Sequence, residues 1–461
     1  MLIDLAPTMG LAFAASAALC WILVRNAGLV LNQTHMVHDT QARQSLHTAP
    51  TPRVGGVAVV AGLAVAVASS PPQVSLAIGM VLAGGLLVFL AGLKEDLFRD
   101  VSARARLIMA FASGALVMFL TGLQVPRLGV PHVDWVFAFT AIPVIVTLLW
   151  SAGTCHALNL IDGLNGLSSS FAMVALIALA TIAYQTNQMD VLFVAVALLG
   201  ALVGVFVFNW PRGLSFMGDA GAYGIGHILA WLGILLIARD PQVAPFAILL
   251  ILFWPVADTL YSIMRRRVMR RAVDAPDRMH FHHIVVRILR RALRDRVAPE
   301  HLNPLATAFM VPLFLAPAAA GVFLWYQPVA ARFALLVFSL LYVVTYALLI
   351  EALSIRRARR AEALVAAANL APPQQKAEVS ALSGIYVADA RAVNVQIQRN
   401  DDGTGWQLST DAAQAERLHW DGAFETDRDA WDVFAETVER NGIEVAIGVP
   451  LIRSPRDPLA P

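Results

Sequence analysis

Runs of about 20 apolar residues recur through the first 350 positions, separated by short polar stretches rich in glycine, proline and arginine. A run of that length crosses the hydrocarbon core of a bilayer as a helix. The pattern predicts spans near 5–24, 54–70, 74–93, 106–122, 135–151, 166–184, 191–208, 220–238, 243–264, 306–326 and 330–350, about eleven in all. Beyond them the pattern changes. Residues 393–398 alternate as a strand, 400–403 read as a turn, and 406–408 return as a partner strand. A helix near 429–440 and a strand near 443–447 complete a small module. The expected fold is an all-α polytopic membrane protein with a C-terminal cytoplasmic α+β extension. Its parts are a transmembrane domain over 1–355, a basic, Ala- and Pro-rich linker over 356–375, and the extension over 376–461.

Composition and charge sharpen this picture. Of 461 residues, 58% are hydrophobic and 14% charged, which excludes an ordinary soluble protein. The loops holding Arg25, Arg43, Arg53, Lys94, Arg99, Arg104, Arg106, Arg212, the run 265–271 and the run 356–360 alternate with loops holding little beyond Arg127 and Arg239. The positive-inside rule then predicts the N-terminus outside and the C-terminus in the cytoplasm. Residues 1–24 lack a basic leader and a cleavage site, so a retained first helix is expected. Cys20 and Cys155 both lie in apolar surroundings and read as packing residues, which leaves neither a disulfide framework nor a thiolate metal site.

Five polar clusters fall on the inner loops of this topology, at 47–56, 94–106, 156–165, 209–219 and 277–283. In the first, two prolines and a glycine pair impose a turn that brings Arg53 and backbone amides to the membrane face; a plain connecting loop is the simpler reading. In the second, Glu95 and Asp96 stand just beyond an apolar span, where they can hold Mg²⁺ or position a phosphate, or belong to a solvated mixed-charge loop. In the third, Asn159, Asp162 and Asn165 are spaced three apart and share one face of a helix; a capped, solvent-facing helix end is the alternative. In the fourth, Asn209 precedes the glycine-flanked Asp219, a carboxylate at the mouth of apolar helices that points to a bound cation or substrate. In the fifth, His280, His282 and His283 follow Asp277 and Arg278. Their spacing does not match a closed zinc site, and substrate contacts are favoured.

The stretches PTPRVGG, GLKEDLFRDVSARAR, HALNLIDGLNGL, FNWPRGLSFMGDAG, PVADT and PDRMHFHH stand in an order that resembles the polyprenyl-phosphate N-acetylhexosamine-1-phosphate transferases. The resemblance covers roughly residues 5–350. The histidine motif is more similar to the WecA and TagO branch than to MraY. The resemblance implies transfer of an N-acetylhexosamine-1-phosphate from a UDP-sugar to undecaprenyl phosphate at the cytoplasmic face of a bacterial inner membrane, with release of UMP and initiation of a lipid-linked envelope glycan. It implies Mg²⁺, with Mn²⁺ as a substitute, held by Asp219. Asp96 and Glu95 would lie near the lipid phosphate, and Asp162 and Asn159 would line the nucleotide-sugar pocket. Asn209 would meet the nucleotide and Arg106 a phosphate, with His280, His282 and His283 on the diphosphate or sugar. Arg53 and Arg278 complete the set of substrate-binding candidates.

The expected partners are the UDP-N-acetylhexosamine, undecaprenyl phosphate and the bilayer; a homodimer is compatible with the sequence, and nucleic acid is not expected. Four positions depart from the family pattern: Glu95 for Asp, His156 for Asn, Asn165 for Asp and Ala222 for Ser. They leave room for a catalytically weakened homologue that serves as an assembly partner. A transporter, the rival from another class, calls for charges deep in the spans or paired inverted repeats, and the sequence has neither.

Overall fold

The computed structural model describes residues 5–28, 51–70, 74–139, 141–269, 277, 279–293, 296–368, 379–388, 391–400, 405–412, 415–420, 423–441 and 443. The chain divides into two units, Met1–Leu349 and Ile350–Pro461.

The first unit is helical: α1 Leu5–Arg25, α2 Gly55–Ser69, α3 Leu76–Phe98, α4 Ala103–Thr121, α5 Ala141–Ile161, α6 Leu167–Gln185, α7 Met189–Asn209, α8 Gly218–Arg239, α9 Pro245–Ile251, α10 Phe253–Val268, α11 Phe281–Leu293, α12 Pro299–Phe323 and the start of α13 Pro328–Ala368, whose residues from Ile350 on count with the second unit. Among the described residues nine helices are long and apolar enough to cross a membrane. The α9–α10 pair supplies a tenth if taken as one span, and α2 is an apolar helix of 15 residues. The chain is a multi-pass membrane protein.

Two sequence expectations change in detail. The span expected at 243–264 is broken at Leu252, where α9 and α10 meet at 85°. The span expected at 135–151 starts later: Pro131 opens a single helical turn, a 3₁₀ turn follows over Trp135–Ala138, and α5 runs on to Ile161. Hydropathy is continuous through both places, so composition alone does not locate the breaks.

At the centre is α8, apolar all round and enclosed along its span, with α2, α3, α5 and α6 as neighbours. Small residues permit these approaches. A Cβ on Gly56 would lie 2.2 Å from the Gly221 nitrogen, so α2 and α8 touch through backbone. At the same end of the bundle the loop before α2 pairs with the loop before α8. The Phe216 N–H donates to the Pro52 carbonyl at 2.9 Å, and the Gly55 and Gly56 N–H groups donate to the Phe216 and Met217 carbonyls at 2.9 and 2.8 Å.

In the second unit four antiparallel strands lie in the order β1 Gly384–Ala388, β2 Arg391–Arg399, β3 Trp406–Ala412 and β4 Ala415–His419, followed by α14 Asp427–Asn441. Alternation along β2 buries Val393, Val395 and Ile397 with Leu408 of β3 and with Ala430 and Phe434 of α14. The strands at 393–398 and 406–408 and the helix at 429–440 lie within these elements, whereas β1 and β4 carry no clear alternation and were not expected. Of the strand expected at 443–447 only Ile443 is described, and it is helical; 401–403 of the expected turn lie outside the described residues.

Candidate functional site

The site forms where α3, α4, α5 and α8 meet at one end of the bundle. Its organising contact is a borrowed helix cap. The first N–H groups of a helix have no partner within it, and α8 has no capping side chain of its own. Asp96, near the end of α3, supplies one: its Oδ1 and Oδ2 accept the N–H groups of Asp219 and Ala220 at 3.0 and 2.9 Å. The Asp96 side chain is fully buried, and its charge is met by Arg53 Nη1 at 3.5 Å. Gly218 takes φ +74°, and a Cβ there would lie 2.6 Å from Asp96 Oδ2. Glycine is required at this turn on both counts.

This cap fixes the first turn of α8 and with it the Asp219 side chain. Asn159 Nδ2, on α5, donates to Asp219 Oδ1 at 3.1 Å. Arg106, in the first turns of α4, donates through Nη1 to Asp219 Oδ2. The Arg106 guanidinium also stands 6.0 Å from the Tyr223 ring centre, one helical turn beyond Asp219. The Tyr223 hydroxyl and His156 Nδ1 are 3.2 Å apart, so the histidine that departs from the family pattern adjoins this cluster. Glu95 Oε2 accepts the Val101 N–H at 2.9 Å and holds the turn between α3 and α4.

Asp162 lies just past the end of α5. Burial pushes its carboxyl up to about 6; the Ser168 hydroxyl that donates to it opposes this, and the negative charge of Asp219 adds to it. The Asp219 carboxylate, with the amide of Asn159 against it, offers hard oxygen donors of the kind that suit Mg²⁺ and not a soft metal. Among the described residues no group of three His, Cys, Asp or Glu side chains is already closed into a metal cage. An ion held mainly by one carboxylate and completed by phosphate oxygens and water fits this arrangement.

Other predicted residues hold loops. Asn209 is buried, its Oδ1 accepting the Gly166 N–H at 2.5 Å and its Nδ2 donating to the Ser215 carbonyl at 2.6 Å. Both ends of this amide are held by main chain, so it ties 166 to 215 at the position where the resemblance implies a nucleotide contact. Asn165 is likewise a tie: its N–H donates to Asn303 Oδ1 at 2.8 Å, its Nδ2 to the Pro211 carbonyl at 3.0 Å, and its own carbonyl accepts from Thr307 at 2.8 Å.

The histidine segment docks on α10 through residues whose role the sequence left unread. Asp258 is buried and accepts from the Phe281 N–H at 3.0 Å and the Tyr342 hydroxyl at 2.6 Å, with His280 Nδ1 at 2.7 Å. Asp277 accepts from Ser262 at 2.7 Å, the Met279 N–H at 2.8 Å, Arg266 Nε at 3.2 Å and Arg265. Burial pushes its carboxyl up, and these donors more than reverse this, holding it at about 2. His282 is buried with an unpaired Nδ1, and a Cβ on Gly163 would lie 2.8 Å from its Nε2. The loop that carries Asp162 thus abuts the histidines. Burial, with the charges of its neighbours, keeps His282 well below the ordinary imidazole range and His283 at about 4. Arg278 lies outside the described residues. A polar Asp inside an apolar helix, as at 258, is the signal from which this anchor could be read in the sequence.

The family model described as glycosyl transferase family 4 matches residues 78–237, the stretch from α3 to α8 that contains Asp96, Asp162 and Asp219. The chain is similar to the undecaprenyl-phosphate alpha-N-acetylglucosaminyl 1-phosphate transferase of Yersinia pestis, 29% identical over 52% of this chain and 67% of the relative. It is similar to the decaprenyl-phosphate N-acetylglucosaminephosphotransferase of Mycobacterium tuberculosis, 28% identical over 53% of this chain and 68% of the relative. It is similar also to the phospho-N-acetylmuramoyl-pentapeptide-transferase of Streptococcus pneumoniae, 32% identical over 45% of this chain and 64% of the relative. Residues 78–237 thus carry the glycosyl transferase family 4 match, and the chain is similar to enzymes of the polyprenyl-phosphate N-acetylhexosamine-1-phosphate transferase kind.

Proposed function

We propose that this enzyme transfers an N-acetylhexosamine-1-phosphate from a UDP-sugar to undecaprenyl phosphate, releasing UMP, at the cytoplasmic face of a bacterial inner membrane. The observation that carries the reading is the meeting at Asp219 of side chains from three other helices: Asn159, Arg106 and, through the main chain, Asp96. Both substrates are anionic, and their mutual repulsion is the obstacle to reaction. Asp219 would hold Mg²⁺, with Asp162 as a further carboxylate candidate, and the ion when bound neutralises charge on the phosphates.

The residues do the rest. Arg106 and Arg53 supply fixed positive charge in a partly dehydrated site, where each is worth more than in water. His282 is neutral and has a buried, unpaired nitrogen for a phosphate or sugar oxygen. Asp96 is already committed to the helix cap, so its part is to position Asp219. The arginine-rich loops support an orientation with this end of the bundle in the cytoplasm and the N-terminus outside.

The test uses purified full-length protein in lipid nanodiscs, with undecaprenyl phosphate, Mg²⁺ and each common radiolabelled UDP-N-acetylhexosamine in turn. The expected outcome is a lipid-linked product with one of them, together with UMP. Folded protein that yields none with any sugar would point to the assembly-partner alternative.

A further inference from the structure

We infer that Arg106 is the built-in counter-ion of Asp219 and competes with a divalent cation for that carboxylate, so that one guanidinium serves two anions in turn: Asp219, and then a substrate phosphate. The inference rests on the reading that Asp219 takes the metal. Arg106 Nη1 contacts Asp219 Oδ2, and both side chains are largely enclosed, at 19% and 15% exposure. An ion pair in such a setting is little screened. The other oxygen, Oδ1, accepts from Asn159, which carries no charge. Asp96, the nearest carboxylate along the main chain, is neutralised separately by Arg53. A metal bound through either oxygen of Asp219 lies close to the Arg106 guanidinium on the same carboxylate, and the two positive charges repel at that distance.

Arg106 has somewhere to go. The Tyr223 ring lies 6.0 Å from its Cζ, and Glu95 is a further carboxylate whose charge acts on it. Its Nε is buried and makes no hydrogen bond, so part of the fork is uncommitted. An unpaired buried N–H is costly, and a phosphate oxygen satisfies it with a charge-assisted bond. Release of Arg106 from Asp219 thus couples metal binding to the presentation of a phosphate-binding group on the same side of α8.

The experiment measures metal binding and not turnover. Free Mn²⁺ is followed by electron paramagnetic resonance during titration of nanodisc-embedded full-length protein, as wild type, Arg106→Gln, Asp219→Asn and the charge control Arg104→Gln. Arg106→Gln is expected to bind Mn²⁺ about tenfold more tightly than wild type while its transfer activity falls. Arg104→Gln is expected to stay within about twofold, and Asp219→Asn to lose the site. Unchanged or weaker binding by Arg106→Gln, with the site still lost in Asp219→Asn, overturns the competition and leaves the metal assignment standing. Wild type without an Asp219-dependent site overturns both. Should Arg106→Gln fail to fold, phenylglyoxal modification of Arg106 in wild type, mapped by peptide mass, decides: several-fold faster modification with Mg²⁺ is expected, and an unchanged or slower rate overturns the competition.

Discussion

The carboxylate of Asp96 closes the N-terminus of a helix to which it does not belong, taking the N–H groups of Asp219 and Ala220 while Arg53 balances its charge. Removing it leaves two unmet donors and an unpaired arginine. Asp96→Ala is predicted to lower stability by about 3–5 kcal/mol and to abolish transfer. Asp96→Asn keeps one acceptor and is predicted to fall between. Thermal unfolding in detergent, read beside the transfer rate, checks the order.

Gly218 is the hinge of the same cap. A methyl group there meets Asp96 Oδ2 at 2.6 Å in a left-handed backbone of φ +74°. Gly218→Ala is predicted to cost about 1–3 kcal/mol from backbone strain alone and to eliminate activity. At Gly153 of α5 an added Cβ meets nothing within 4 Å. Gly153→Ala is predicted to be neutral or stabilising by up to about 1 kcal/mol. Equal behaviour of the two variants in unfolding and transfer assays would contradict the cap.

Asn165 stands where the family has a carboxylate, and the structure gives a reason for the amide: Nδ2 donates to the Pro211 carbonyl at 3.0 Å. A carboxylate has no such donor and would turn a buried oxygen toward a carbonyl. Asn165→Asp is therefore predicted to destabilise the protein by about 1–3 kcal/mol. Unfolding temperature and transfer rate of the single variant are the measurements.

Acid should loosen the histidine segment. Burial, with the electrostatic influence of the neighbouring His280 and Arg287, holds the folded His283 imidazole at about 4 against the favourable pull of Asp258 and Asp277, and His282 lies well below the ordinary imidazole range. In the unfolded chain these groups take up protons near pH 6.5. Their folded-state pKa is depressed, so the stability they permit is fully present above pH 6.5 and is lost as pH falls toward about 4. Unfolding temperature measured across that window is predicted to fall more steeply in wild type than in His283→Gln. Identical slopes would remove these histidines from the account.

Much of this was legible in the sequence because membrane insertion leaves a strong signal. Every expected span corresponds to a helix or a bent helix pair, since apolar length decides crossing whatever the tertiary contacts. The clusters around Arg53, Asp96, Asp162 and Asp219 stood out as polar groups beside greasy runs, and the fold brings their loops to one end of the bundle. What each side chain touches was not legible. The cap by Asp96 depends on the left-handed turn at Gly218 and on how closely α3 approaches α8, distances that no one-dimensional pattern carries. Asn209 read as a ligand residue because an exposed and a fully tied amide look alike in sequence. The anchoring of His280 by Asp258, itself held by Tyr342, joins segments 22 and 84 residues apart, which no local pattern carries.

We propose Asp219, held by the borrowed cap and facing Asn159 and Arg106, as the carboxylate that binds the divalent ion for sugar-phosphate transfer. Its most direct test is UMP release from UDP-N-acetylhexosamine by nanodisc-embedded protein, measured with and without undecaprenyl phosphate and Mg²⁺, for wild type and Asp219→Asn. The account predicts release only when lipid phosphate and metal are both present, and none from folded Asp219→Asn. Release by Asp219→Asn at the wild-type rate, or release by wild type without divalent metal, would contradict it.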